Sequence, residues 1–166
     1  VGGAELIDRD RRLPGHVKVE REALALLLTK PDDAGPRLAD ANEEEFTSPV
    51  RREVFRRALE LLSSGRPADA AGAAGLSPDA QALFTELTMM DIPEDDLDAR
   101  VREVFTRVRL FALERDIKTR RNTLQDVNPL EDPERHDALF TELVALEARR
   151  RDLLRLLQNE PEEVEA

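Results

Sequence analysis

Two histidines, no cysteine, and a scatter of hydroxyls and carboxylates are what this 166-residue chain offers to chemistry. His16 lies in a stretch that reads as linker and His136 in the first turn of the last expected helix, where a neutral, exposed imidazole is the ordinary state. Neither is expected to hold a metal or to catalyse. Without cysteine there is no thiol nucleophile and no thiolate metal site. Ser48 and Ser77 each precede a proline at an expected helix start, so capping explains them better than nucleophilic attack. Asp95-Asp96 and Glu43-Glu44-Glu45 are carboxylate pairs and triplets, but they too sit at helix starts, where the macrodipole favours acids. Gly65 and Gly72-Ala73-Ala74-Gly75 lack the Lys-Ser/Thr of a phosphate loop and its strand-to-helix setting. The expectation is a chain without catalytic, cofactor-binding or metal-binding residues.

What remains is surface. Leu124, Val127 and Leu130 fall at an expected bend, and Leu153, Leu154, Leu156 and Leu157 crowd the last turns of the final helix. A two-helix hairpin buries one stripe per helix, yet these four leucines cover more than one face. The surplus lies either against a neighbouring bundle or in an exposed patch that takes a partner helix.

The elements that carry this surface occupy the last third of the chain. Leu97, Val101, Val104, Val108 and Phe111 are spaced by four and three, one face of a helix. The stripe then changes face to Leu110, Leu113, Ile117, Leu124 and Val127, with Arg120 as the missing member. One continuous helix with two stripes in tandem packs against one body along its first half and another along its second. Asp132-Pro133 opens the returning helix, an N-cap followed by proline at the first position. There Leu139, Leu143, Leu146, Leu153 and Leu157 run at heptad spacing, interrupted by Arg150. A helix of about 30 residues is ~45 Å long, more than a compact domain of this size needs.

Composition agrees. Aromatics are 4% with no Trp or Tyr, and runs alternating β-branched with polar residues are absent, which is an all-α composition. No apolar stretch reaches the roughly 18 residues that would span a bilayer, and a signal peptide is not apparent, so a cytoplasmic protein without membrane contact is expected. A net charge of -11 argues against strong direct nucleic-acid binding. The charge is uneven, however: Arg100, Arg102, Arg107, Arg109, Arg115, Lys118, Arg120 and Arg121 outnumber the four acids between positions 98 and 121. These cations are either the solvated face of a long helix or a strip for an acidic partner.

In chain order, residues 1–18 read as a linker from a larger upstream region, with Gly2-Gly3, Pro14-Gly15 and no initial Met. A first, leucine-rich helix starts between 17 and 20 and stops at Pro31. Two short pieces follow, the second capped by Asn42 with Glu45 completing a capping box, after which Phe46 plugs the core. Ser48-Pro49 opens a helix with Val54, Phe55, Ala58, Leu59 and Leu62 buried, ended by Ser63-Ser64-Gly65. Positions 66–76 are Ala- and Gly-rich, a loop or a short turn. Ser77-Pro78 opens another helix with Ala82, Leu83, Leu87 and Met90 in its stripe and Phe84 beside it; Asp91-Ile92-Pro93 breaks it. The expected architecture is all-α: a helical bundle over 19–112, then the long helix and a C-terminal antiparallel hairpin over 113–158, and an acidic, frayed tail over 159–166.

The run Glu20-Arg21-Glu22-Ala23-Leu24-Ala25-Leu26-Leu27-Leu28 with its Lys30-Pro31 stop, then Glu45-Phe46-Thr47-Ser48-Pro49 and Arg52-Glu53-Val54-Phe55, resembles the C-terminal helicase-binding domain of bacterial DNA primase. The resemblance covers roughly 19–157, in the same order of elements. It implies an interaction domain with no catalytic residues, the zinc-binding module and the magnesium-dependent polymerase core lying upstream and outside this chain. It implies docking on the N-terminal domains of the hexameric replicative helicase, with Leu124, Val127, Leu130, Arg149, Arg150, Leu154 and Leu157 as the candidate contact residues. In some members the domain also receives the acidic tail of the single-stranded-DNA-binding protein, which assigns that role to Arg100, Arg102, Arg107, Arg109, Lys118 and Arg121. The alternative from another class is a free-standing helical adaptor that uses the hairpin as a coiled-coil interface.

Overall fold

The computed structural model describes residues 13–158, so the expected linker up to residue 12 and the acidic tail from 159 lie outside the described residues. Six α-helices follow in order: α1 Gly15–Thr29, α2 Pro31–Ala34, α3 Pro49–Ser64, α4 Pro78–Thr88, α5 Leu97–Asp126 and α6 Pro133–Gln158, with 3-10 turns at Gly35–Asp40 and Glu43–Glu45. No strand occurs among the described residues. The chain forms two compact units that divide between Val108 and Arg109, inside α5.

In the first unit α1, α3 and α4 pack pairwise on one another. Helix α1 is the centre, because every residue from Ala23 to Leu28 is buried, on all its faces. It starts earlier than its apolar pattern suggests: Pro14 flanks the first turn, and the Lys18 N–H reaches the Pro14 carbonyl at 3.1 Å. A proline carbonyl can accept the first helical bond even though its nitrogen donates none, so residues 15–18 are helix rather than linker.

The caps follow the sequence signals. The Ser48 hydroxyl accepts from the Arg51 N–H at 3.1 Å and the Ser77 hydroxyl from the Ala80 N–H at 3.3 Å, each with proline in the first turn. The Asn42 side chain accepts from the Glu44 N–H. Gly65 closes α3 in the left-handed region, φ +65°, a conformation that favours a residue without Cβ. The buried faces differ in detail from the pattern. On α3 the buried leucine is Leu61, while Leu59 and Leu62 are half-buried; on α4 Ala80, Phe84 and Leu87 are inside and Ala82 is exposed. Helix rotation is fixed by the partners it packs on, and the heavy aromatic ring of Phe84 takes the centre that the stripe assigned to its neighbours.

The Ala-Gly segment is a series of turns held from outside. Arg57 Nη1 donates to the carbonyls of Gly72 and Ala74, both at 2.7 Å, and the Asp69 carboxylate accepts from the Gly72 N–H at 2.9 Å. Ala73 is thereby seated in the core, 2% exposed. Below it, Glu53 takes the Ser77 N–H and hydroxyl on its two carboxylate oxygens, both at 2.7 Å. The backbone donor first, then the hydroxyl, holds the Glu53 carboxyl below the usual carboxylate range. A group depressed in this way contributes stability above its unfolded value and loses it as pH falls through the lowered one. A carboxyl-resolved NMR titration should therefore find Glu53 ionised at a pH where ordinary glutamates are protonated, and Ser77→Ala, which removes the hydroxyl but keeps the backbone donor, should return it only part of the way to their range.

The residues that carry the family resemblance form one lock. Glu20, 2% exposed, accepts the Thr47 N–H and, at 2.9 Å, the Thr47 hydroxyl, and faces Arg51 Nη2 at 3.5 Å. Arg51 Nη2 in turn donates to Thr47 Oγ1 at 2.6 Å, and Arg52 Nε to the Phe46 carbonyl at 2.8 Å. Phe46, buried as its position implied, meets Phe55 with ring centroids 4.8 Å apart. Arg21 pairs with Glu86 at 2.7 Å, tying α1 to α4. The motif thus holds the fold together.

Along α5, Val101, Val104 and Val108 are buried with this first core. Asp96 precedes the helix with φ +50°, and its carbonyl accepts from the Arg100 N–H at 3.1 Å.

Candidate hairpin interface

The second unit consists of the remainder of α5 and all of α6. Among its described residues few are buried, Leu113, Ile117 and Leu139, because two helices alone can cover only one stripe each. Ion pairs set the antiparallel register: Glu114 meets Arg150 at 3.3 Å, Arg120 meets Glu142 at 3.2 Å, and Arg121 meets Glu147. Arg120 and Arg121, nearer the bend along α5 than Glu114, meet partners on α6 that are nearer the bend than Arg150, as an antiparallel pair requires. Arg150 therefore interrupts the leucine series for a reason, since it reaches across to Glu114 from the packing face.

The bend itself is well tied. Asn128 Oδ1 accepts from the Leu130 N–H at 2.9 Å, and its carbonyl accepts from the N–H groups of Glu131 and Asp132 at 3.1 and 3.0 Å. Asp132 caps α6 through the Arg135 N–H at 3.2 Å. This holds Leu130 out in solvent, 91% exposed.

Of the residues singled out for docking, Leu124, Val127, Leu154 and Leu157 are half-buried, Arg149 is exposed, and Arg150 is half-buried on Glu114. Among the seven, Leu130 stands open at the bend and Arg149 on the outer side of α6. The open hydrophobics of the hairpin outside those seven are Phe140, Val144 and Leu156, at 53%, 50% and 61% exposure; Leu156 is one of the four crowded leucines of the last turns, while Phe140 and Val144 were passed over. Phe140 and Val144 belong to a second series on α6 that was visible at spacings of three and four but lay in the shadow of the richer leucine stripe.

The candidate acidic-tail residues divide between the units. In the first, Arg100 pairs with Glu22 at 2.7 Å, Arg102 with Asp98 at 3.4 Å and Arg107 with Glu103 at 2.9 Å. In the second, Arg121 is engaged by Glu147 and Arg109 has contacts of its own, while Lys118 is exposed and has no ion pair among the described residues. Lys118 lines a shallow groove with Glu114, Ile117, Arg121, Glu147 and Arg150. Much of the positive charge on this strip is already neutralised inside the chain.

Among the described residues no group of three or more His, Asp or Glu side chains is gathered for a metal ion, and no helix is long and apolar enough to cross a membrane.

Comparison with known proteins fits this architecture. No family model matches the chain. DNA primase of Mycobacterium tuberculosis is 34% identical over 145 residues, which is 81% of this chain. DNA primase of Mycolicibacterium smegmatis is 35% identical over 146 residues. The chain spans about a fifth of the length of these relatives, 22% and 23%. Among solved structures, the helicase binding domain of primase from Mycobacterium tuberculosis superimposes with a TM-score of 0.59 at 30% identity, covering 84% of this chain and 92% of that one. Identity at this level over nearly the whole of a solved domain, together with the same all-helical order, means that the chain belongs to the family of the helicase-binding domain of DNA primase.

Proposed function

We propose that this chain is the non-catalytic domain by which a DNA primase attaches to the hexameric replicative helicase, docking on the helicase's N-terminal domains and coupling primer synthesis to unwinding. The observation that carries the reading is the likeness to a solved domain described as helicase binding, of which the chain covers 92%. The absence of any catalytic constellation in the sequence is in keeping with it. Docking through the hairpin is supported by Leu130, which the Asn128 turn holds in water where an apolar side chain gains from a partner.

The test is a calorimetric titration of the chain with the replicative helicase of the same organism. Leu130→Asp together with Leu156→Asp should weaken binding at least tenfold, about 1.4 kcal/mol or more, the size of a modest interface anchor. Both side chains are mostly exposed, so far-UV circular dichroism and the melting temperature should not change. Undiminished affinity in the double variant would move the docking site off the bend. No binding by the wild-type chain would refute the function itself.

A further inference from the structure

We propose that the outer face of α6 pairs with the same face of a second copy of this chain, antiparallel, about a two-fold axis that passes at Val144. The inference stands apart from the helicase reading and uses none of the bend residues assigned to it.

Helix α6 carries one heptad series and, beside it, a second face that is symmetric about Val144. Leu139, Leu143, Leu146, Arg150, Leu153 and Leu157 serve the hairpin. The second, Asp137, Phe140, Val144, Ala148, Arg151 and Arg155, recurs at steps of three and four and so lines another face. Its large apolar members, Phe140 and Val144, are each half in water. An isolated exposed aromatic is ordinary, but one flanked by an exposed valine a turn away and a small residue a turn further on is the composition of a packing seam.

The order of residues along this face selects the occupant. In an antiparallel pair centred on Val144, each position meets the one equally far on the other side of the centre. Val144 then meets Val144, Phe140 lies over Ala148, and Asp137 lies opposite Arg151, each of the last two contacts occurring twice. Large meets small, and anion meets cation. A parallel pair would instead stack Asp137 on Asp137 and Arg151 on Arg151, which like-charge repulsion disfavours. The charges are available. Arg151 is exposed and has no ion pair among the described residues, and Asp137, with its side chain 85% exposed, is engaged only by the neighbouring His136 at 3.7 Å. One helix pair buries less than the ~1,200 Å² of a stable specific interface, so the dimer is weak and concentration-dependent.

Sedimentation of the 166-residue chain from about 10 μM to about 1 mM, the range in which such small interfaces associate, should show a reversible monomer–dimer equilibrium. Asp137→Arg alone and Arg151→Asp alone should each weaken it about tenfold, since each creates two like-charge contacts. Mixing these two variants should restore dimers, as heterodimers in which both ion pairs are re-formed, one as in the wild type and one with its polarity reversed; circular dichroism checks that each variant is folded. Val144→Glu should abolish association. A chain that stays monomeric throughout the range overturns the proposal. So does a dimer indifferent to these substitutions, or a mixture of folded variants no better than its components. If Val144→Glu weakens helicase binding in a chain that is always monomeric, the face belongs to the helicase and the proposal is again wrong.

Discussion

Replacing Glu20 with alanine should destabilise the first unit by roughly 3–5 kcal/mol, the cost of breaking a buried ion pair from one side. Against a typical total of about 5–15 kcal/mol, that is a large share of the fold's stability. Among the described residues Glu20 is the one buried polar residue, and its carboxylate satisfies the Thr47 N–H, the Thr47 hydroxyl and the guanidinium of Arg51 together. Alanine would leave Arg51, with only 16% of its side chain in contact with water, as a charge without its counter-ion. That guanidinium already has one nitrogen, Nε, without a hydrogen-bond partner, so it has no spare bonding to fall back on. Urea unfolding should show a lower midpoint with an unchanged slope. The double variant Glu20→Leu with Arg51→Met should recover most of the loss, because two apolar residues in place of the pair leave no buried charge at all. If the double variant is no better than Glu20→Ala, the damage comes from the Thr47 turn and not from the stranded arginine.

Ile117→Asp should open the hairpin while leaving the first unit folded. Ile117 is 4% exposed and is one of three buried residues among the described residues of the second unit, so there is little other apolar contact to absorb a charge placed there. A carboxylate buried without a partner costs several kcal/mol, comparable with what so thin a core can supply. The expected result is a loss of helical signal proportionate to α6 and the end of α5, with the main unfolding transition of the first unit shifted by no more than about 0.5 kcal/mol. If the hairpin is the attachment point, helicase affinity should fall at least a hundredfold, about 2.7 kcal/mol. Retained affinity in a chain that has lost the hairpin signal would place attachment on the first unit. Ile117→Leu, which keeps the volume and the polarity, is the control that should change neither.

The two predictions probe different sources of order. In the first unit, stability is concentrated in a polar lock surrounded by leucine and phenylalanine. In the second, it rests on a narrow stripe and on cross-helix ion pairs exposed enough that each adds at most about 1 kcal/mol.

By itself the sequence determined the local features. Ser48-Pro49, Ser77-Pro78 and Asp132-Pro133 start helices wherever they occur, since a cap needs only a side-chain oxygen and the next three residues. The valines at 101, 104 and 108 declare one face of a helix by spacing alone. The missing cysteines left no thiol nucleophile and no thiolate metal ligand to consider, whatever the fold.

Tertiary structure decided whatever depends on residues distant in the chain. Nothing next to Glu20 in the chain marks it as buried; Thr47, 27 positions on, is what satisfies its carboxylate in the core. The cations of α5 look free in the sequence, yet Glu22, 78 residues from Arg100, and Glu147, 26 from Arg121, neutralise two of them. Leu61 displaced Leu59 and Leu62 because the rotation of α3 answers to α1 and α4. Phe140 and Val144 became surface because α5 covers only one side of α6. Spacing assigns residues to a face, but burial belongs to whichever face finds a partner, and that is a property of the packed chain.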